Sequence, residues 1–270
     1  MKNNGATVLV VVVLVVIAGL ATWRYRDDVL PSPEPATGRA TIVESATPAE
    51  AGADTGPRHP MPAPTPMTST SGELVPLPAL DDSDAYFLLD VGTVFGAAIE
   101  SLFTREAVID KLVTSVDNLP REKLSEKIRP VGRLADAFAA DAGDGETLVL
   151  GLSSYLRYDA LVAYLYYADL DAVYDTYRRF YPLFQESYER LGYPGAHFND
   201  RLVEVIDHLV ATPQPAEPIV LVRPHVLYEF ADPDLEALSS GQKLMLRLGP
   251  DNAATTRRLL IKFRSRIAAD

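Results

Sequence analysis

The chain has no cysteine among its 270 residues. That excludes disulfides, thiol catalysis, cysteine-ligated zinc and a lipid anchor on an N-terminal cysteine. It fits an oxidising compartment. Basic residues are the minority, 25 Lys and Arg against 37 Asp and Glu, for a net charge of -12. A surface of that sign lacks the basic footprint of non-specific nucleic-acid binding, so no nucleic-acid partner is expected. Also missing are a Gly-x-Ser-x-Gly elbow, a His-Glu-x-x-His helix, a phosphate loop and a dinucleotide fingerprint. Glu100-Ser101 matches a pair used by lytic transglycosylases, but the motifs that accompany it there are not present. No cofactor is expected.

Two local scarcities divide the chain. Residues 6–23, Ala6 to Trp23, contain no charge and are dominated by Val and Leu. As a helix they span roughly 27 Å, about the hydrocarbon thickness of a bilayer, which predicts a membrane span. A cleaved signal peptide competes, since Gly19-Leu20-Ala21 supplies small residues for cleavage. The aromatic and basic boundary Trp23-Arg24-Tyr25-Arg26 favours a retained anchor. Lys2 lies before the span and Arg24 and Arg26 after it, so flanking charge does not set the orientation. The short N-terminal tail predicts a signal-anchor with its N-terminus inside and the C-terminal domain in the periplasm.

The second scarcity is aromatic. No Phe, Trp or Tyr occurs between Tyr25 and Tyr86, and eleven of the twenty-one prolines lie between Asp27 and Pro78. That composition cannot bury enough apolar surface to offset chain entropy, so residues 27–78 are expected to be a disordered proline-rich linker, with Pro57–Pro66 favouring polyproline II. The expected organisation is therefore a tail and transmembrane anchor over 1–26, a linker over 27–78 and a folded domain over 79–270.

The folded part reads as mainly α. Asp82 or Ser83 starts a helix carrying Tyr86, Phe87, Val91, Val94, Phe95 and Ile99, with Gly92 and Gly96 as candidate breaks. Thr104 is placed to cap a second helix through Val116, ended by Pro120. Phe138 and Leu148-Val149-Leu150 flank Asp141–Gly145, which predicts a small β-hairpin. That acidic turn does not have the spacing of a calcium-binding EF-hand loop. A helix over Ser154–Tyr167 is apolar nearly all round, which predicts a central position. Ten of the thirteen tyrosines fall between Tyr155 and Tyr193. On a long helix from Asp169 to Leu191, Tyr174, Tyr177, Tyr181, Phe184, Tyr188 and Leu191 form one stripe, with a kink expected at Pro182. The stripe reads as core or helix seam, and alternatively as a stacking surface for cell-wall sugars.

The next helix has opposed faces. Phe198, Leu202, Val205, Ile206 and Leu209 point one way; Asp200, Arg201, Glu204, Asp207 and His208 point the other. With His197 one turn earlier, this polar face is the best chemical cluster in the chain. Glu204 and His208, four residues apart, are the candidate acid–base pair, and His197, Asp200, Glu204 and His208 the candidate metal ligands. A salt-bridged face, paired with Arg178 or Arg179, is the plain alternative. Farther on, Ile219–Val222 reads as extended, Asp232-Pro233 and Ser240 as helix caps, and Asp251 as the start of a basic C-terminal helix that could touch anionic lipid or an acidic patch of the domain.

Five segments carry a family resemblance: Val116–Arg121 (VDNLPR), Tyr177–Gln185, Phe198–His208, Val226–Pro233 and Leu238–Lys243 (LSSGQK). Together they resemble the bacterial domain-of-unknown-function family 3014 over roughly residues 77–263. The resemblance implies a proteobacterial protein with an N-terminal span, a proline-rich linker and this domain. It implies no activity and no catalytic residue. The expected role is a membrane-anchored envelope protein that binds a protein or cell-wall partner through its helical surface. The alternative is a metal-dependent or acid–base hydrolase working at the 197–208 cluster.

Overall fold

A computed structural model describes residues 56–64, 67–68, 74–132, 138–225 and 227–268. The expected span over 6–23 and the linker up to residue 55 lie outside the described residues. Among the described residues, no helix is long and apolar enough to cross a membrane.

The described chain is mainly helical. A two-stranded pair, β1 (Met67–Thr68) and β2 (Leu74–Val75), precedes a 3₁₀ turn at Leu80–Asp82. Then come α1 (Asp84–Phe95), α2 (Ala97–Glu100) and α3 (Val108–Asn118). The hairpin β3 (Asp141–Ala142) and β4 (Leu148–Leu150) leads into α4 (Leu152–Tyr167), α5 (Leu170–Arg190) and α6 (Phe198–Val210). Strands β5 (Ile219–Val222) and β6 (Glu229–Phe230) follow, then α7 (Pro233–Glu236), α8 (Ser240–Arg247) and α9 (Pro250–Ile267).

The core is a bundle. Helix α3 packs on α5 and α6, α9 packs on α6, α5 and α4, and α1 lies against α5. The aromatic stripe of α5 is core, as its spacing predicts. Of its members Tyr177, Phe184 and Tyr188 are buried, Tyr174 and Tyr181 are partly buried against the core and Leu191 is exposed, and Phe184 stacks on Phe198 of α6 with ring centroids 5.7 Å apart. Tyr177 also meets Phe263 of α9 edge-on at 5.8 Å. Such offset and edge contacts add to the area term that aromatic burial supplies.

The expected hairpin is half of a larger sheet. The four strands run in the order β3-β4-β5-β6, all neighbours antiparallel, with Leu150 opposite Ile219 and Leu221 opposite Phe230. Their inner face forms a second, smaller core with Leu235 and Leu246. Strand β5 alternates buried Ile219 and Leu221 with exposed Val220 and Val222. Chain order hid this sheet, because three helices separate β4 from its partner β5.

Several local expectations are corrected. Thr104 does not cap α3. The Asp84 carboxylate of α1 accepts both the Ala107 and Val108 amides at 2.7 Å, so a distant acceptor takes the place of a local one. The α8 cap is Ser239 rather than Ser240, with Gln242 closing a capping box. Helix α9 begins at Pro250, where Pro replaces an amide that would have no partner. Of the candidate glycines only Gly96, at φ 83°, breaks a helix.

Helix α4 is flanking, not central. Tyr158, Leu161, Val162 and Leu165 face inward, while Leu152, Leu156, Tyr164, Tyr166 and Tyr167 are exposed. The linker expected over 27–78 is also corrected at residues 56–64. There the proline-rich chain lies on α6, and Met61 packs against the main core. Composition alone registers the missing aromatics, not the polar receptors that hold the segment.

Candidate functional site

The polar face of α6 is built by its neighbours. Its first amide, Phe198 N–H, donates to Gln185 Oε1 at 2.8 Å, and Gln185 Nε2 donates to Ala196 O at 2.7 Å. One α5 side chain thereby fixes both the start of α6 and the turn before it. Asp200 and Glu204 then lie four residues apart on one face, and Glu204 and His208 four apart again.

Asp200 and Glu204 share Arg58, whereas Asp207 and His208 turn to other partners. Asp200 accepts the backbone N–H groups of Arg58 and His59 at 3.0 and 2.8 Å. Glu204 takes Arg58 Nη2 at 2.5 Å and Arg201 Nη1 at 3.4 Å. Asp207 takes Arg264 through both oxygens, at 2.5 and 2.9 Å. His208 Nε2 lies 2.8 Å from Ser239 Oγ. Burial, followed by the Arg201 charge, holds His208 below the ordinary imidazole value, so it is neutral at neutral pH. His197 caps no amide with its side chain, and its Nε2 is buried.

The four candidate ligands therefore do not converge. Among the described residues, no group of three or more His, Asp or Glu side chains is arranged to hold a metal ion. Arg178 and Arg179, expected as partners of this face, pair instead with Asp175 and Asp90. The carboxylates are matched by Arg58, Arg201 and Arg264. The basic C-terminal helix is likewise turned onto the domain: Arg264 meets Asp207, Arg266 meets Asp171, and Arg257 donates to the carbonyls of Val210 and Thr212.

Beneath this face lies a cluster that sequence reasoning missed. Asp117, at the end of α3, is 2% exposed. Its Oδ1 accepts Arg201 Nε at 2.9 Å; its Oδ2 accepts Arg121 Nη2 at 3.0 Å and the Tyr193 hydroxyl at 3.2 Å. Arg201 Nη2 also donates to Asp117 O at 2.8 Å. A buried carboxylate this fully hydrogen-bonded is a junction. The available signal was positional, because Asp117 falls four residues after Val113 on the apolar stripe of α3.

Asn199 is a second hidden junction, with no exposed surface. Its Nδ2 donates to His59 O and to Ile267 O, both at 2.8 Å, and its Oδ1 accepts the Tyr177 hydroxyl at 3.1 Å. Burial raises the Tyr177 hydroxyl well above the ordinary tyrosine range, which keeps its proton in place as the donor.

The segments VDNLPR and LSSGQK hold each other. Ser240 N–H donates to Arg121 O at 2.7 Å, and Gly241 N–H donates to Leu119 O at 2.9 Å. His208 joins them through Ser239, and Arg201 through Asp117. These contacts lock α3, α6 and α8 together.

A protein-family model described as "Protein of unknown function (DUF3014)" matches residues 108–264, and the chain belongs to that family. The matched region starts at the first residue of α3, later than the resemblance suggested, and includes every strand of the four-stranded sheet. No curated protein and no solved structure matches the chain.

Proposed function

We propose that this member of the DUF3014 family is a single-pass protein of the inner membrane, anchored through residues 6–23, whose helical domain acts in the periplasm as a binding module. Its partner is a protein or the cell wall. The observation that carries the reading is the outer face of α4. Leu152, Leu156, Ala160, Ala163 and Tyr167 succeed one another at three- and four-residue steps and are all exposed, Leu152 at 64% and Tyr167 at 72%. Tyr164 and Tyr166 flank them. Contiguous apolar surface of this kind is costly in water and marks interaction sites. The polar face of α6, by contrast, spends its charges on partners within the domain.

The face borders a shallow hollow of about 620 Å³ lined by Tyr155, Asp159, Tyr166, Asn252 and Arg258 among others. Apolar wall with a few polar groups at the edge suits a binding surface. The test is site-specific photo-crosslinking in cells, with the probe at Leu156 or Tyr167 of the full chain and at Glu189 as a control. A discrete product at the α4 positions only is the expected result. No product at either α4 position, or the same products at Glu189, overturns the binding face. A reporter fused after Asp270 that is active only in the cytoplasm overturns the periplasmic placement.

A further inference from the structure

The proline-rich segment enters the fold at one well-defined place, the first turn of α6. Two successive backbone amides, Arg58 N–H and His59 N–H, donate to the two oxygens of a single carboxylate, Asp200, at 3.0 and 2.8 Å. The next backbone group, His59 O, accepts Asn199 Nδ2 at 2.8 Å. The Arg58 guanidinium reaches Glu204 Oε1 at 2.5 Å. Three side chains of one helix, at positions 199, 200 and 204, thus read two amides, one carbonyl and one basic group of a single dipeptide. The two amides converge on one carboxylate because the backbone bends at Arg58 and His59; the site grips that bend and adds a charge that selects arginine.

Asn199 gives the site its rigidity. It has no exposed surface, and its amide is already committed to Ile267 O and the Tyr177 hydroxyl. The group that donates to His59 O is therefore preorganised by α5 and α9 and does not need the segment to hold it in place. Against this stands the entropy of ordering the segment, which is comparable in size with the bonds gained. Arg58 itself is 62% exposed in its side chain, so its ion pair is screened by water and salt.

We propose that the first two turns of α6 form a recognition site for a bent basic segment, and that Pro57–Met61 occupies it as a releasable latch that sets the length of the tether. Docked, the chain is held on α6 from residue 57; released, the next structured element is the β1–β2 pair that begins at Met67. The difference is roughly ten residues, up to about 35 Å of extended chain. The latch also joins the base of the tether to the end of α9, because one Asn199 amide group donates to both His59 O and Ile267 O. Only the meaning of tether length rests on the proposed membrane anchor; the latch itself does not.

Amide hydrogen exchange on the full chain in lipid nanodiscs tests the latch directly. The Arg58 and His59 amides should exchange at least about tenfold slower than in a synthetic peptide of residues 54–64. Asp200→Ala should return both to the peptide rate while Val205 and Ile206 in α6 keep their protection. Peptide-like rates in the unaltered chain overturn the proposal, and so does protection that survives Asp200→Ala. A second variant guards against a folding defect in the first: Glu204→Ala should lower protection at Arg58 with α6 intact, and unchanged protection removes the guanidinium from the site. None of these readouts depends on where residues 6–23 reside, so a failed latch and a failed anchor are distinguishable.

Discussion

Arg201 and Asp117 are 84 residues apart in the chain and meet through two hydrogen bonds, Nε to Oδ1 at 2.9 Å and Nη2 to the Asp117 carbonyl at 2.8 Å. Side chain and backbone of one residue are gripped by one guanidinium. Removing the carboxylate leaves Arg201, half-buried, without its main counter-charge, and takes the acceptor from the Tyr193 hydroxyl as well. Asp117→Ala should therefore cost about 3 kcal/mol, in the range for breaking a buried pair from one side. Urea unfolding checks this; a loss under about 1 kcal/mol would mean the cluster is far wetter than its geometry.

Gly241 is a different kind of lock. A Cβ added there would lie 2.6 Å from Leu209 Cδ2 and 3.0 Å from the Leu119 carbonyl oxygen. The side chain can shift, but the carbonyl is backbone and accepts the Gly241 amide itself at 2.9 Å. Gly241→Ala should push α8 away from α3 and destabilise the fold by about 1–3 kcal/mol, as overpacking does. Gly56→Ala, with nothing within 4 Å of the added atom, serves as the control and should be neutral. Thermal unfolding of the two variants side by side decides it.

How much of this was visible in the residue order depends on the range of the forces involved. The helices of the bundle follow from periodicity, because burial of Tyr177, Phe184 and Tyr188, or of Leu202, Ile206 and Leu209, repeats with the helical turn. The identity of each residue's partner does not repeat. Asp200 looked like a ligand and is an acceptor for two amides about 140 positions upstream. Glu204 and His208 share a face, yet one turns to Arg58 and the other to Ser239. The polar junctions at Asp117 and Asn199 were hidden for the same reason, although both sit on otherwise apolar stripes, which was the readable clue. The β5 strand was found but not its sheet, since pairing across three helices leaves no local trace.

His208 should make stability fall on mild acidification. Its folded value is depressed by burial and by Arg201, so the unfolded chain binds a proton more readily. The contribution is complete above about pH 6.5, the ordinary imidazole value, and is lost as pH falls through the lower folded value. Ser239, the cap of α8, faces the ring and cannot stabilise an added charge as a carboxylate would. The expected outcome is a stability profile that declines below about pH 6.5 and flattens in His208→Gln. An imidazole titration by NMR with its midpoint at or above that value would contradict it.

The two faces of α4 should respond oppositely to mutation. Leu165 is 0% exposed, and Leu165→Ala should cost about 2–5 kcal/mol through the cavity it leaves. Leu156 and Tyr167, at 54% and 72% exposure, give up little packing when changed to Ser, so stability should move by about 0.5 kcal/mol or less. If the outer face binds a partner, the same two substitutions should abolish the crosslinked product obtained with a probe at Leu152, because anchor residues at the centre of an interface carry most of its energy. The inner-face variant should instead retain that product wherever the protein remains folded. Loss of the product in Leu165→Ala but not in the surface variants would show that the fold and not the face is being read, and would remove α4 as the binding surface.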